Sequence, residues 1–304
     1  MLSGGALRMK HSSKPGAESA RRSAVGTAVT AFVLGYGLHY FGYFLRARYF
    51  NWLKTLELSE GLSHCLGYLG HLVFLCVLLG YAWAVRRDRK YIFALRRGPA
   101  LRNLKYALIG LVVGFATMGL CVLGAALNGN VTIRPASGHG AGLFLFAALC
   151  VLIQSAAEEI ESRAFVFGKM HAEGVSLAPA VIVSSLFFSY LHAANPGFGL
   201  VPLLSIFVAG VLYALSYHYF GTLWFPCTAH MAWNYTQDFL FGLPDSGMPA
   251  AASIFSSAVS GSSFFYDQTF GIEGSWMAIL VNALTCALVW LIGRRMLKKR
   301  TETP

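Results

Sequence analysis

Two glutamates stand side by side in the middle of an apolar run, in Ala156-Ala157-Glu158-Glu159-Ile160-Glu161-Ser162-Arg163. A charged side chain near the centre of a bilayer costs about 3 kcal/mol on insertion scales, so a cluster there needs a reason. Two further apolar segments each supply a histidine, His192 in FFSYLHAANP and His230 in FPCTAHMAWNY. Carboxylates and imidazoles sharing an apolar interior are the parts of a proton-transfer or hydrolytic site.

Helical spacing sorts these residues. Gln154, Glu158 and Ser162 recur at i, i+4 and i+8 and share one face. Glu159 and Arg163 form an i, i+4 pair about 100° further round, which neutralises Glu159 and leaves Glu158 for chemistry. Glu161 is expected elsewhere, near the interface. His192 follows Phe188 by one turn, and a turn through Glu173-Gly174-Val175 and Pro179 joins its segment to the glutamates. Glu158 and His192 each lie 17 residues from Val175 (175 − 158 and 192 − 175), so an antiparallel pair sets them at one depth. His230, Asn234 and Asp238 repeat at i, i+4, i+8 on a third segment, with Asp238 read as a helix-end or supporting group. The chemistry these residues offer is water-assisted hydrolysis. Glu158 is the general base, His192 orients the water, and His230 with Asn234 donates hydrogen bonds to a tetrahedral oxyanion. No serine or cysteine pairs with a base as nucleophile.

The elements that carry these groups follow from composition. The chain has 304 residues, 56% hydrophobic and only 12% charged, about half the charged share of a soluble domain. Apolar runs near the ~20 residues needed to cross a bilayer recur throughout. The fold class is therefore all-α, a polytopic membrane helical bundle. About eight transmembrane helices are expected, at 24–45, 62–85, 106–127, 143–170, 179–194, 200–219, 222–241 and 276–293. Runs this long and continuous do not suit a barrel.

The organisation reads as a basic tail at 1–23, N-terminal transmembrane helices at 24–142, catalytic helices at 143–241, an outer loop at 242–275, and a last helix with a basic tail at 276–304. Residues 246–266 are small and Ser-rich and are expected to form a loop over the bundle, with at most a short amphipathic piece.

The net charge of +11 sits at the termini and in the 86–105 connection, whereas 242–275 carries Asp245, Asp267 and Glu273 and no Lys or Arg. This is the positive-inside pattern, with Arg46, Arg48 and Lys54 counting against it. It argues for a bilayer rather than nucleic acid as partner. The expected location is the cell membrane, inner or plasma, with both termini cytoplasmic. The six cysteines are scattered singly and read as small apolar residues. His39, His64, His71 and His218 lack partners at helical spacing and read as packing or interfacial groups.

The three clusters together resemble the CPBP intramembrane proteases, the Abi family that includes the type II CAAX prenyl endopeptidases and bacteriocin-processing proteins. That family is marked by Glu-Glu-x-x-x-Arg, Phe-x-x-x-His and His-x-x-x-Asn in that order. Here they stand at Glu158-Glu159 with Arg163, at Phe188 with His192, and at His230 with Asn234, and the resemblance covers roughly 143–241. It implies an intramembrane endopeptidase acting on a membrane-associated or lipid-modified protein or peptide. In it Glu158, His192, His230 and Asn234 are catalytic, and Glu159, Arg163 and Phe188 support them. No cofactor is expected. Zinc is the alternative and would need Glu158, His192 and His230 to converge, since there is no HExxH. Two rival readings stay open: an ion- or proton-coupled transporter, and a non-catalytic immunity or scaffold protein of the same fold.

Overall fold

The computed structural model describes residues 17–302, so most of the basic N-terminal tail, including Arg8, Lys10 and Lys14, lies outside the described residues. Eleven elements set the architecture. They are α1 (Ala17–Leu53), α2 (Glu60–Leu69), α3 (His71–Ala84), α4 (Ala100–Leu127), β1 (Val131–Pro135), α5 (Ala141–Glu159), α6 (Leu177–Tyr190), α7 (Leu200–Phe220), α8 (Trp224–Tyr235), β2 (Phe255–Val259) and α9 (Trp276–Glu302). Short helical turns fill 86–96 and 272–274. The chain is helical wherever it was expected to span, because a backbone in lipid must satisfy its own hydrogen bonds.

The count of eight crossings is not carried by length. Six helical segments among the described residues are long and apolar enough to cross a membrane, namely 23–53, 60–84, 100–127, 141–172, 200–220 and 276–299. The remaining two expected spans are α6, with 14 residues, and α8, with 12 before its continuation. Both lie against other helices; α8 buries most of its residues and needs no lipid-length apolar run, whereas α6 buries half of its 14 and leaves Ile182, Leu186 and Tyr190 exposed. Large apolar residues of α1, α4 and α9, such as Val33, Leu101 and Leu284, are exposed, as a lipid-facing surface requires.

The bundle has two distinct ends. At the basic end, Lys169 pairs with buried Asp88 at 2.9 Å and with Glu173 at 2.9 Å. There Trp224 Nε1 donates to the Leu95 carbonyl at 3.0 Å, and Thr222 Oγ1 donates to Asn103 at 2.8 Å. At the opposite end β1 and β2 pair antiparallel in the register Val131↔Val259 to Pro135↔Phe255. This ribbon corrects the expectation of a plain loop. Val131-Thr132-Ile133 is β-branched and suits a strand, but its partner lies more than a hundred residues away. The 191–199 turn joins the same end, where Asn195 Nδ2 donates to the Ser246 carbonyl at 2.9 Å.

Two stretches depart from regular α geometry. α5 continues as a wider π-helical stretch, Ile160–Phe167, before closing at Gly168–Ala172. α8 runs into a π-helical turn, Thr236–Leu240. Wide turns of this kind recur at functional sites because they rotate the following side chains out of α phase. Here both follow the segments that hold the candidate catalytic residues. α8 packs against α4 on one side and α5 on the other, and α7 packs between α6 and α9.

Candidate active site

Glu158 sits at the end of α5 with its side chain 14% exposed. Gln154, one turn earlier, donates its Nε2 to Glu158 Oε1 at 2.7 Å. The same Gln154 accepts at Oε1 from Asn234 Nδ2 at 3.3 Å and from Ser155 Oγ at 3.0 Å. A chain of hydrogen bonds therefore runs from α8 to Glu158 through Gln154. The other oxygen, Glu158 Oε2, is buried without a hydrogen-bond partner among the described residues, as is Asn234 Oδ1.

Glu159 is fully buried and faces two cations or potential cations. Arg163 Nη1 lies 3.1 Å from its Oε1, and His230 Nδ1 lies 3.0 Å from the same oxygen. The Arg163 guanidinium also stacks over Phe188 at 4.0 Å and faces Tyr213 at 5.2 Å. Glu159 is thus more than half of a structural pair with Arg163, because it also orients the ring of His230. A carboxylate can only accept, so it places a proton on Nδ1 and turns Nε2 toward Glu158. His230 Nε2 is 3.9 Å from Glu158 Oε2, too long for a direct hydrogen bond.

His192 lies just past the end of α6. Its Nδ1 is 3.0 Å from the Phe188 carbonyl oxygen, which also can only accept, so the neutral ring carries its lone pair on Nε2. Among the described residues no hydrogen bond or ion pair joins His192 to Glu158. What joins it to the rest is Phe188, whose ring packs edge-on against both His192 at 5.1 Å and His230 at 5.7 Å. Both histidines line one cavity of about 20 Å³, room for roughly one water. The structure therefore draws together Glu158, Glu159, Arg163, Phe188, His230 and Asn234, with His192 joined to them through Phe188. Ser162, on the expected face, is buried with its hydroxyl unpaired.

Four residues that the sequence reading set aside belong to this neighbourhood or its flanks. His71 brings Nε2 to 3.3 Å from Glu158 Oε1, with its Nδ1 3.0 Å from the Tyr68 carbonyl. Arg46 donates Nη1 to the same Nε2 at 3.0 Å. His39 pairs with Glu161 at 3.1 Å, and Glu161 is fully buried rather than interfacial, because α1 covers it. His64 meets Asp238 at 2.6 Å, and the Tyr68 hydroxyl bridges Asp238 and Asp245, 2.7 and 2.6 Å from their Oδ2 atoms. The partners of these histidines lie on other helices, where spacing along one helix shows nothing. His218 has only ring neighbours, His171 and Tyr219.

Zinc finds no ready cage. Among the described residues no three His, Cys, Asp or Glu side chains are grouped to hold a metal ion, Glu158, His192 and His230 included.

Residues 140–236 match the model of the type II CAAX prenyl endopeptidase Rce1-like family, the CAAX-protease group that the three motifs resemble. The match takes in 97 residues (236 − 140 + 1) of the 304, namely α5 to α8, and leaves out α1 to α4 and α9. At family level it supports a CAAX-type intramembrane protease. No curated protein and no solved structure matches the chain.

Proposed function

We propose that this chain is an intramembrane endopeptidase that cleaves a membrane-associated or lipid-modified protein or peptide with water activated by Glu158 and His192. The observation that carries the reading is that His192 and His230 line one cavity, while His230 Nε2 lies 3.9 Å from the unpartnered Oε2 of Glu158. Three separate helices contribute, and nothing in packing alone requires their polar faces to coincide.

The proposed reaction uses only these side chains. Water held between Glu158 Oε2 and His192 Nε2 attacks the carbonyl carbon of the scissile peptide, and Glu158 takes the water's proton. The oxyanion of the tetrahedral intermediate accepts hydrogen bonds from His230 and from the second N–H of Asn234. Glu159 against Nδ1 is the arrangement that stabilises an imidazolium ring, whose Nε2–H can then donate. Collapse breaks the C–N bond, and Glu158 returns its proton to the leaving amine. No step is routed through a metal.

By the positive-inside rule the basic end faces the cytoplasm of the cell membrane and the ribbon end faces outward. The test is terminal-peptide profiling of host membranes carrying wild type, Glu158→Gln or no protein. New termini seen only with wild type support the reading and name the substrate. New termini seen equally with Glu158→Gln keep a protease and remove Glu158 as its base. The same termini in all three samples, followed by ion flux that depends on Glu158, would favour transport.

A further inference from the structure

The cavity beside His192 and His230 is lined by polar groups that none of the three motifs contains. Ser205 and Tyr213 reach it from α7 and Asn282 from α9. All three are almost wholly buried, at 2%, 4% and 2% exposure. Among the described residues, neither hydroxyl nor the Asn282 amide makes a hydrogen bond. Among the described residues their polar atoms do not belong with the enclosed unpartnered ones, so they open onto the cavity, and whatever occupies it supplies their hydrogen-bond partners.

Their chemistry defines that occupant. A hydroxyl and a primary amide each donate and accept, and none is charged. An anionic ligand would call for Arg or Lys and a cationic one for a free carboxylate. The one carboxylate at the cavity, Glu273, has Oε1 taken by Trp233 Nε1 at 2.8 Å and Oε2 by Ser246 Oγ at 2.5 Å. An uncharged partner that alternates C=O with N–H is a peptide backbone, and the apolar walls at Phe188 and Ile206 suit an aliphatic side chain on it.

We propose that Asn282, with Ser205 and Tyr213, grips the backbone of the substrate peptide next to the scissile bond and that Asn282 sets its affinity. The proposal rests on the peptidase reading above and adds a binding site, partly on a helix outside the family match. Ser246 and Glu273 from the 242–275 loop close the cavity, so the peptide enters as that loop gives way.

The experiment uses the full chain in nanodiscs with Glu158→Gln to prevent turnover. The probe is a short fluorescent peptide with aliphatic C-terminal residues, with and without a farnesyl group. Asn282→Leu is expected to weaken binding about tenfold, roughly 1.4 kcal/mol. Methylating the probe's backbone nitrogens should weaken binding to the parent and not further to the Asn282→Leu form. Equal affinities in the two forms, or no binding of either probe, would overturn the proposal. If Asn282→Leu fails to fold by thermal unfolding, Ser205→Ala and Tyr213→Phe decide the point on the same criterion. A probe that binds through Asn282 yet is never cut by wild type would remove the peptidase reading and keep the site. A probe cut equally with and without Asn282, at the same KM, would do the reverse.

Discussion

Gly114→Ala is the change that tests whether α4 sets the position of His230, the oxyanion donor proposed above. α4 meets α8 through Gly110 and Gly114, a small-x-x-x-small pair that lets two helix backbones approach closely. A Cβ built on Gly114 would sit 2.7 Å from Ala232 Cβ and closer still to the Ala229 carbonyl oxygen. The nearest atom, the Ala229 carbonyl oxygen, would lie at 2.3 Å and an ordinary contact begins at 3.4 Å, so the helices must part by about 1.1 Å (3.4 − 2.3). Ala229 and Ala232 flank His230, so the ring moves with its helix, away from Glu158 and Glu159. A misplacement near 1 Å can cost about 10²-fold in rate, so the expected loss is roughly 10–100-fold. Gly119→Ala is the matched control, because a Cβ there meets nothing within 4 Å on the same helix. The assay is the yield of wild-type-specific termini per unit of folded protein, with folding judged by thermal unfolding. Full activity in a folded Gly114→Ala protein, or an equal loss in Gly119→Ala, would refute the argument that this helix contact sets the site.

Three further outcomes are expected. His71→Ala removes the ring that lies 3.3 Å from Glu158 Oε1 and faces Arg46. Turnover should fall about 10–100-fold with KM little changed, as for loss of a contact to a charged group, and an unchanged kcat would show the contact to be incidental. Lys169→Met strands buried Asp88 and should destabilise the fold by about 3 kcal/mol, whereas adding Asp88→Leu should restore most of it, since no lone charge is left; denaturant or thermal unfolding of both variants in detergent distinguishes a mattering pair from an idle one. Burial, followed by the neighbouring carboxylates Glu273 and Asp238, holds the carboxyl of Asp245 well above the usual aspartate range. The protonated form is the one the fold favours. Its contribution is full below the ordinary value of about 3.9 and is lost as pH rises through the raised one, so stability should decline toward alkaline pH. Asp245→Asn should flatten that decline, and parallel melting curves for the two proteins at every pH would count against it.

Local periodicity is what the sequence by itself determined. In lipid the backbone must be helical, so long apolar runs gave all-α architecture, and i, i+4 spacing correctly joined Gln154 to Glu158 and Glu159 to Arg163. These features depend only on residues within one or two turns. The partners of a side chain on another helix do not. His39 finds Glu161 across 122 positions and His64 finds Asp238 across 174, and no spacing rule reaches that far. The Gly110 and Gly114 pair was a legible signal that only the facing Ala229 and Ala232 made meaningful. β1 needed β2, and α8 could be shorter than a bilayer because its neighbours shield it. Which polar faces meet is fixed by non-local packing, and so it was the tertiary structure that brought His71 and Arg46 to Glu158 and turned Glu159 toward His230.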